Sequence, residues 1–243
     1  MYYTINNICI REMISIQILY FETIDSTNNY AKNNTGALNL PALIISDEQT
    51  AGRGRRGNSF FSPKDTGLYM TLVFKEKSNH ELLTPAAAVA VCEALTEIGS
   101  EPGIKWVNDV FVNGKKVCGI LTERFFHNGE AHIALGIGIN ITTSVFPDNL
   151  PCAGNIGVSC NKKELADIIS GKILDYTVNP DNNEILEKYR KFLFLIGKEI
   201  SYSKNNIPFC AKVKDINDMC NLIVTLPDGR EDILSSGEIS III

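Results

Sequence analysis

Histidine is scarce in this chain, with His80, His127 and His132 the only three among 243 residues. That leaves little room for a histidine-based metal site or nucleophile–base triad, and each reads as an ordinary surface or strand residue. Paired cysteine motifs are missing too. The seven cysteines (Cys9, Cys92, Cys118, Cys152, Cys160, Cys210 and Cys220) are odd in number, scattered and without a C-x-x-C pair, which speaks against a disulfide framework or a zinc ribbon and for buried reduced thiols. No apolar run approaches the roughly 18–20 residues needed to span a bilayer, and the first residues lack the basic-then-apolar layout of a signal peptide. A cytoplasmic protein with no membrane partner is expected. An excess of basic charge is lacking as well: 23 Lys and Arg stand against 28 Asp and Glu, for a formal net charge of -5. Nonspecific binding to a phosphate backbone needs a basic face, so any basic patch here must be local.

What is present is the composition of a soluble globular protein, 44% hydrophobic and 21% charged, long enough for one large domain or for a large one plus a small one. The β-rich run Ile14 to Phe21 is followed by Asp25-Ser26-Thr27-Asn28, which offers several capping side chains for a helix reaching about Asn34. Met13, directly before that run, is a second candidate for the first residue, with residues 1–12 as a short extension. Leu43–Asp47 and Leu68–Phe74 read as strands around a Gly/Arg-rich loop. Thr84 as N-cap, Pro85 at the first helical position, an alanine-rich face and Gly99 at the end predict a helix. Asn113-Gly114 and Asn128-Gly129 lie between β-rich runs and predict two hairpins in an antiparallel meander. Segments 161–177 and 183–194 show helical spacing and are expected to cover the sheet.

After Gly197 only short strand-like runs remain, broken by Asn-Asp and Pro-Asp-Gly turns. The expected architecture is α/β (α+β): a mixed β-sheet with covering helices over residues 1–195, and a small SH3-like β-barrel over residues 196–243.

Three constellations carry possible chemistry. Gly52-Arg53-Gly54-Arg55-Arg56-Gly57 sets three arginines and three glycines in six positions, next to Gln49; glycines let the backbone approach a ligand, and guanidinium forks match phosphate or carboxylate oxygens. The bland alternative, an RG-type nucleic-acid segment, usually comes in repeats within basic chains. Lys105-Trp106-Val107-Asn108-Asp109 reads as a strand presenting Lys105 and Asp109 on one face, with the hairpin returning Lys116 beside them, a set that suits a nucleotide phosphate with its Mg²⁺. An isolated lysine pair would more simply be a solvated hairpin. Gly136-Ile-Gly-Ile-Asn140 lets something pack close to its glycines and ends in an amide, though a plain core strand is equally good on these residues alone.

In combination and order, DSTN at 25–28, QTAGRGRRG at 49–57, KWVND at 105–109, KKVCGIL at 115–121, GIGIN at 136–140 and GEIS at 237–240 resemble the biotin–protein ligases over about residues 14–243. Val107 departs from the proline usual in the family and loosens that turn, and the DNA-binding domain of the family's repressor branch is not expected. The resemblance implies a ligase that activates biotin with ATP and Mg²⁺ to biotinyl-5′-AMP and passes the acyl group to a lysine of the biotin carboxyl carrier protein of acetyl-CoA carboxylase or a related enzyme. It implies that Ser26, Thr27 and Asn28 line the biotin head-group end with Gln49 close by, and that Arg53, Gly54 and Arg55 belong to a loop folding over the carboxylate and adenylate. Lys116, with Arg55, carries the catalytic role, and Lys105, Asn108, Asp109 and Asn140 sit on the nucleotide side. No resident metal is implied; Mg²⁺ enters with ATP, near Asp109. Specific DNA binding is not expected, and a homodimer is left open. The rival reading within the superfamily is a lipoate or octanoate ligase. Three clustered arginines repel one another, so the loop is expected to be open until a ligand orders it.

Overall fold

The computed structural model describes residues 2–10, 14–76, 81–204, 207–235 and 239–241, so Met13, His80 and the Gly237-Glu238 half of GEIS lie outside the described residues. Eight strands form the larger sheet: β1 (Tyr2–Ile10), β2 (Ile14–Ile24), β3 (Ala42–Gln49), β4 (Gly67–Lys75), β5 (Gly103–Lys105), β6 (Asp109–Val112), β7 (Lys115–His127) and β8 (Glu130–Asn140). Their order is β1-β2-β3-β4-β8-β7-β6-β5. β2 and β3 run parallel while the other neighbours are antiparallel, so the sheet is mixed. A parallel pair needs a crossover, and α1 (Thr27–Asn34) supplies it, started by Ser26, whose side chain accepts a hydrogen bond from the Asn29 N–H. The residues read as a short extension pair with β2 as an edge strand. Asn113 and Asn128 have φ of 50°, and Gly114 and Gly129 have φ of 73° and 80°. Both hairpins therefore use the left-handed geometry that Asn-Gly provides.

Three helices, α2 (Leu83–Glu97), α3 (Lys162–Val178) and α4 (Asn182–Phe192), pack together on one face of the sheet. In α2, every residue from Pro85 to Cys92 is buried, because the small side chains let the helix lie between the sheet and its two neighbours. Thr84 is not the N-cap: the helix begins at Leu83, and the Thr84 hydroxyl instead lies 2.7 Å from that of Thr122 on β7. Asn161 and Asp181 do cap α3 and α4, each accepting from two backbone N–H groups.

The second sheet comprises β9 (Glu199–Lys204), β10 (Ile207–Ile216), β11 (Leu222–Thr225), β12 (Glu231–Leu234) and β13 (Ile239–Ile241), in the order β12-β11-β10-β9-β13 and antiparallel throughout. One buried cluster runs from Leu72 and Leu135 through Tyr189 to Val213 and Leu222, so the two sheets share a core. Polar contacts seal the junction: the Trp106 indole N–H donates to the Cys220 carbonyl at 2.7 Å, the Tyr189 hydroxyl to the Val107 carbonyl at 3.1 Å, and Arg190 to Asp215 at 3.0 Å. The cysteines are not uniformly buried. Cys92, Cys118 and Cys220 are buried free thiols, but Cys152 and Cys210 are exposed, the latter at an outward position in the alternation of β10.

A single carboxylate joins the three helices. Glu93 of α2 lies 3.4 Å from Lys172 of α3 and 2.9 Å from Lys188 of α4. Burial pushes its carboxyl upward, but the hydrogen bond from Lys188 and the charges of both lysines outweigh that and hold it below the ordinary range. A lowered folded-state value means the stabilisation is complete above the unfolded value of about 4.3 and is lost as pH falls through the folded one. Wild type should therefore exceed Glu93→Gln in denaturation midpoint at neutral pH, with the gap closing on acidification below about pH 4. A gap that stays constant from pH 7 to pH 3 would remove the ion cluster from the account.

Candidate active site

The opposite face of the sheet is covered at one end by α1, whose Ala31 packs with Leu19, Ile44, Val73 and Ala134. Along β8, Ile133, Leu135, Ile137 and Ile139 point toward the helices, so the intervening positions face away from them. There the residues are Gly136 and Gly138, and a cavity of 340 Å³ opens above them.

At one end of the cavity, Ser26, Thr27, Asn28 and Gln49 form a neutral polar wall. Gln49 Oε1 accepts from the Thr27 backbone N–H at 2.9 Å and its hydroxyl at 3.1 Å, while Gln49 Nε2 donates to Ser62 at 3.0 Å. Thr71 on β4 sits beneath, its hydroxyl 2.8 Å from Thr27 Oγ1 and 2.6 Å from Asn28 Oδ1. Asn28 Nδ2 donates to Glu123 at 2.9 Å. The room for Asn28 comes from Gly136, where an added Cβ would stand 2.1 Å from Asn28 Oδ1.

Cations gather at the other end. Lys105, Asn108, Asp109 and Lys116 line it. KWVND is a turn rather than a continuous strand: Lys105 ends β5, Asp109 begins β6, and the two are cross-strand partners, which brings them together across the hairpin instead of along one face. The Trp106–Val107 peptide is cis. Lys116 Nζ pairs with Asp109 Oδ1 at 2.7 Å. Asn108 Nδ2 donates to the Ile120 carbonyl at 2.9 Å and leaves its oxygen toward the cavity, where Arg55 donates to it at 2.7 Å.

The arginine loop forms the roof. It is folded over the cavity and held from within by backbone bonds: Gly54 N–H to the Asn58 carbonyl at 2.7 Å and Phe60 N–H to the Gly52 carbonyl at 2.9 Å. Its charge repulsion is relieved by acceptors at hand, with Arg53 donating to Asn29 at 2.9 Å and lying 3.5 Å from Glu123. Phe60 lays its ring on the floor, where a Cβ at Gly138 would come within 2.4 Å of it and one at Gly119 within 3.1 Å.

Eleven of the twelve sequence-proposed residues thus line one cavity. Asn140 does not. It shares the face of Gly138 but is buried, and its Nδ2 donates at 2.9 Å to the carbonyl of Gly154, in a segment that also pairs with the Lys116 backbone. Phe60, Thr71 and Glu123 were missed. A carboxylate in the middle of the long strand β7 was the available signal for Glu123. Its carboxyl is pushed up by burial, but hydrogen bonds from Lys32 and Asn28 and the charges of Lys32 and Arg53 bring it below the ordinary range. Among the described residues no group of three or more His, Cys, Asp or Glu side chains gathers to hold a metal ion, and no helix is long and apolar enough to cross a membrane.

The mixed sheet with its neutral polar wall, cationic wall and basic roof falls in a known class, the biotin/lipoate A/B protein ligase family, whose model matches residues 20–140. Within that class the chain belongs to the biotin–protein ligase family. It is 32% identical over 229 residues to the biotin–[acetyl-CoA-carboxylase] ligase of Paracoccus denitrificans, covering 85% of this chain and 93% of that one. It is also 35% identical over 148 residues to the bifunctional ligase/repressor BirA of Bacillus subtilis, where the match spans 57% of this chain and only 45% of the relative. The fold matches that of a biotin protein ligase from Aquifex aeolicus in complex with biotin and ATP, with a TM-score of 0.75, 24% identity and coverage of 92% and 97%.

The two glycines of β8 should differ in their tolerance of a methyl group. Gly136→Ala meets buried Asn28, which is bonded on both amide atoms, whereas Gly138→Ala meets a half-exposed ring on a loop that can lift. Thermal melts should show Gly136→Ala much the less stable, and limited trypsin digestion should show a faster cut at Arg55 or Arg56 in Gly138→Ala. The reverse order of stability would mean that Asn28 is not seated as described.

Proposed function

We propose that the chain is a biotin–protein ligase that condenses biotin with ATP to biotinyl-5′-AMP and transfers biotin to a lysine of a biotin carboxyl carrier protein, of acetyl-CoA carboxylase or a related enzyme. The observation that carries this is the division of one cavity into a neutral hydrogen-bonding wall, suited to an uncharged head group, and a cationic wall, suited to a carboxylate meeting a polyphosphate. In the first step a biotin carboxylate oxygen bonds to the α-phosphorus of ATP, the bond to the bridging oxygen breaks, and pyrophosphate leaves. Two anions must approach, so the barrier is electrostatic, and fixed positive charge that needs no reorganisation lowers it. Lys116, Arg55 and Lys105 are assigned to that. In the second step the carrier's ε-amine attacks the acyl carbon, AMP leaves, and the amine gives up a proton.

Thr27, Asn28 and Gln49 are assigned to orienting the head group, and Asn108 to holding Arg55 over the reacting carboxylate. Mg²⁺ is typically held by one or two carboxylates together with substrate phosphates. Asp109, the carboxylate beside Lys116, suits an ion arriving on the nucleotide, where it would neutralise phosphate charge. Asn140 is assigned to bracing the segment alongside Lys116, an indirect role on the nucleotide side.

Biotin-dependent exchange of labelled pyrophosphate into ATP, without any carrier protein, is the expected result. Equal exchange with lipoate, or none with biotin, would overturn the reading. Lys116→Ala should cut single-turnover adenylate formation by about 10²–10³-fold, the range for removing one oxyanion-stabilising donor. Its melting temperature should barely move, since its Asp109 pair is partly exposed. Activity within about threefold of wild type would remove Lys116 from this role.

Arg55→Gly tests the roof. The change removes the bond to Asn108 and the cation facing the mixed anhydride, so the intermediate should escape into solution and biotinylate lysines of unrelated proteins. A bystander such as serum albumin, blotted for biotin after incubation with biotin and MgATP, should be labelled by the variant and not by wild type. Equal labelling would show that the arginine does not retain the intermediate.

A further inference from the structure

We propose that Glu123 is a positioning residue that couples the closed arginine loop to the orientation of Asn28, so that one carboxylate ties the roof of the pocket to its head-group wall. The assignment of a head group to that wall rests on the biotin reading above; the coupling itself does not.

Glu123 lies on β7, and its two oxygens face different parts of the site. Oε2 accepts from Asn28 Nδ2 at 2.9 Å, while Oε1 lies 2.7 Å from Lys32 of α1 and 3.5 Å from Arg53 of the loop. A carboxylate can only accept hydrogen bonds. Facing Asn28, it forces the NH₂ side of that amide toward β7 and turns Oδ1 toward the Thr71 hydroxyl, 2.6 Å away. Oδ1 then sits above Gly136, where no side chain competes for the space. The Leu121 carbonyl on the same strand also faces Nδ2, but at 3.5 Å it is a weak acceptor. Without the charged one the amide would be held far less firmly, and the wall would present a mixture of donor and acceptor to a ligand.

The same carboxylate anchors the loop. Arg53 reaches it from the roof, and Lys32 completes its neutralisation from below, so lifting the loop costs a charge-assisted contact at the group that orients Asn28. A purely structural ion pair between β7 and α1 would need Lys32 alone. The further reach to Asn28, which lines the cavity, and to Arg53, which roofs it, gives Glu123 a place in the site without contact with the reacting atoms.

The test uses Glu123→Gln, which keeps the size of the side chain and adds a donor. In biotin-dependent pyrophosphate exchange its KM for biotin should rise about tenfold, while kcat at saturating biotin stays within about threefold of wild type. Without any ligand, trypsin should cut the Arg53–Arg56 loop faster in the variant than in wild type. Arg53→Lys, at a largely exposed position that keeps the fold, should loosen the loop in the same direction and carries the decision if Glu123→Gln melts early. An unchanged KM, a fall in kcat at constant KM, or loop cleavage at the wild-type rate in the folded variants would overturn the proposal. Wild type lacking biotin-dependent exchange would defeat the biotin reading instead, while the ligand-free cleavage comparison would still decide the coupling.

Discussion

The absence of side chains at three positions on two adjacent strands is the constraint on which the site depends. Gly119 on β7 pairs with Gly138 on β8, and Gly136 lies two residues along. Any Cβ at Gly136 or Gly138 would overlap Asn28 or Phe60, and without those two the neutral wall and the roof have nothing to rest on. Glycine inside a strand costs backbone entropy and weakens packing. The sheet absorbs that cost because Ile120, Leu135, Ile137 and Ile139 bury the opposite face against the helices. The core on one side thus permits the hollow on the other.

Over this floor the electrostatics follow from where acceptors are scarce. The chain as a whole carries a net charge of -5, yet the pocket collects cations from three separate segments. Each of three is held by a neighbour: Arg55 by the Asn108 amide, Arg53 by Asn29 and Glu123, Lys116 by Asp109. An amide oxygen is a weak rival to a phosphate or carboxylate for a guanidinium group. Arg55 is thus held over the cavity by a neutral partner, a weaker restraint than the carboxylates that hold Arg53 and Lys116. The loop is held over the cavity by these acceptors and by its own backbone bonds, neither of which composition reveals.

Much of the architecture was legible because it rested on local signals: Asn-Gly pairs for the hairpins, helical spacing over 161–177 and 183–194 for the covering helices, and short strand-like runs after Gly197 for the second sheet. The cavity residues were legible because the motifs that hold them are short and contiguous. What escaped depended on partners distant in sequence. Thr84 looked like a cap until Thr122, 38 positions away, claimed its hydroxyl. Lys105 and Asp109 were rightly expected together, but as neighbours on one strand; the chain turns between them, a choice made by Trp106 finding the Cys220 carbonyl 114 positions on. Asn140 shares the face of Gly138, yet its Nδ2 is bonded to the Gly154 carbonyl, and it does not line the cavity. Thr71 gave no local sign, since its place is set by Thr27 and Asn28, and Glu123 stood out only as a carboxylate within a long strand, its partners Asn28, Lys32 and Arg53 all being distant in sequence.

That dependence of the KWVND turn on remote groups gives the second sheet a part in the site. Trp106 and Val107 are each fixed by an atom outside the turn, the Cys220 carbonyl at the β10–β11 corner and the Tyr189 hydroxyl on α4. Both partners are buried, so an unmade bond at either place would leave a polar group without water to replace it. The next residues, Asn108 and Asp109, are the ones that hold Arg55 and Lys116. Placement of the cations therefore runs back through the turn to the junction between the sheets, and a pocket lined by no residue of the smaller sheet has its geometry set in part by it.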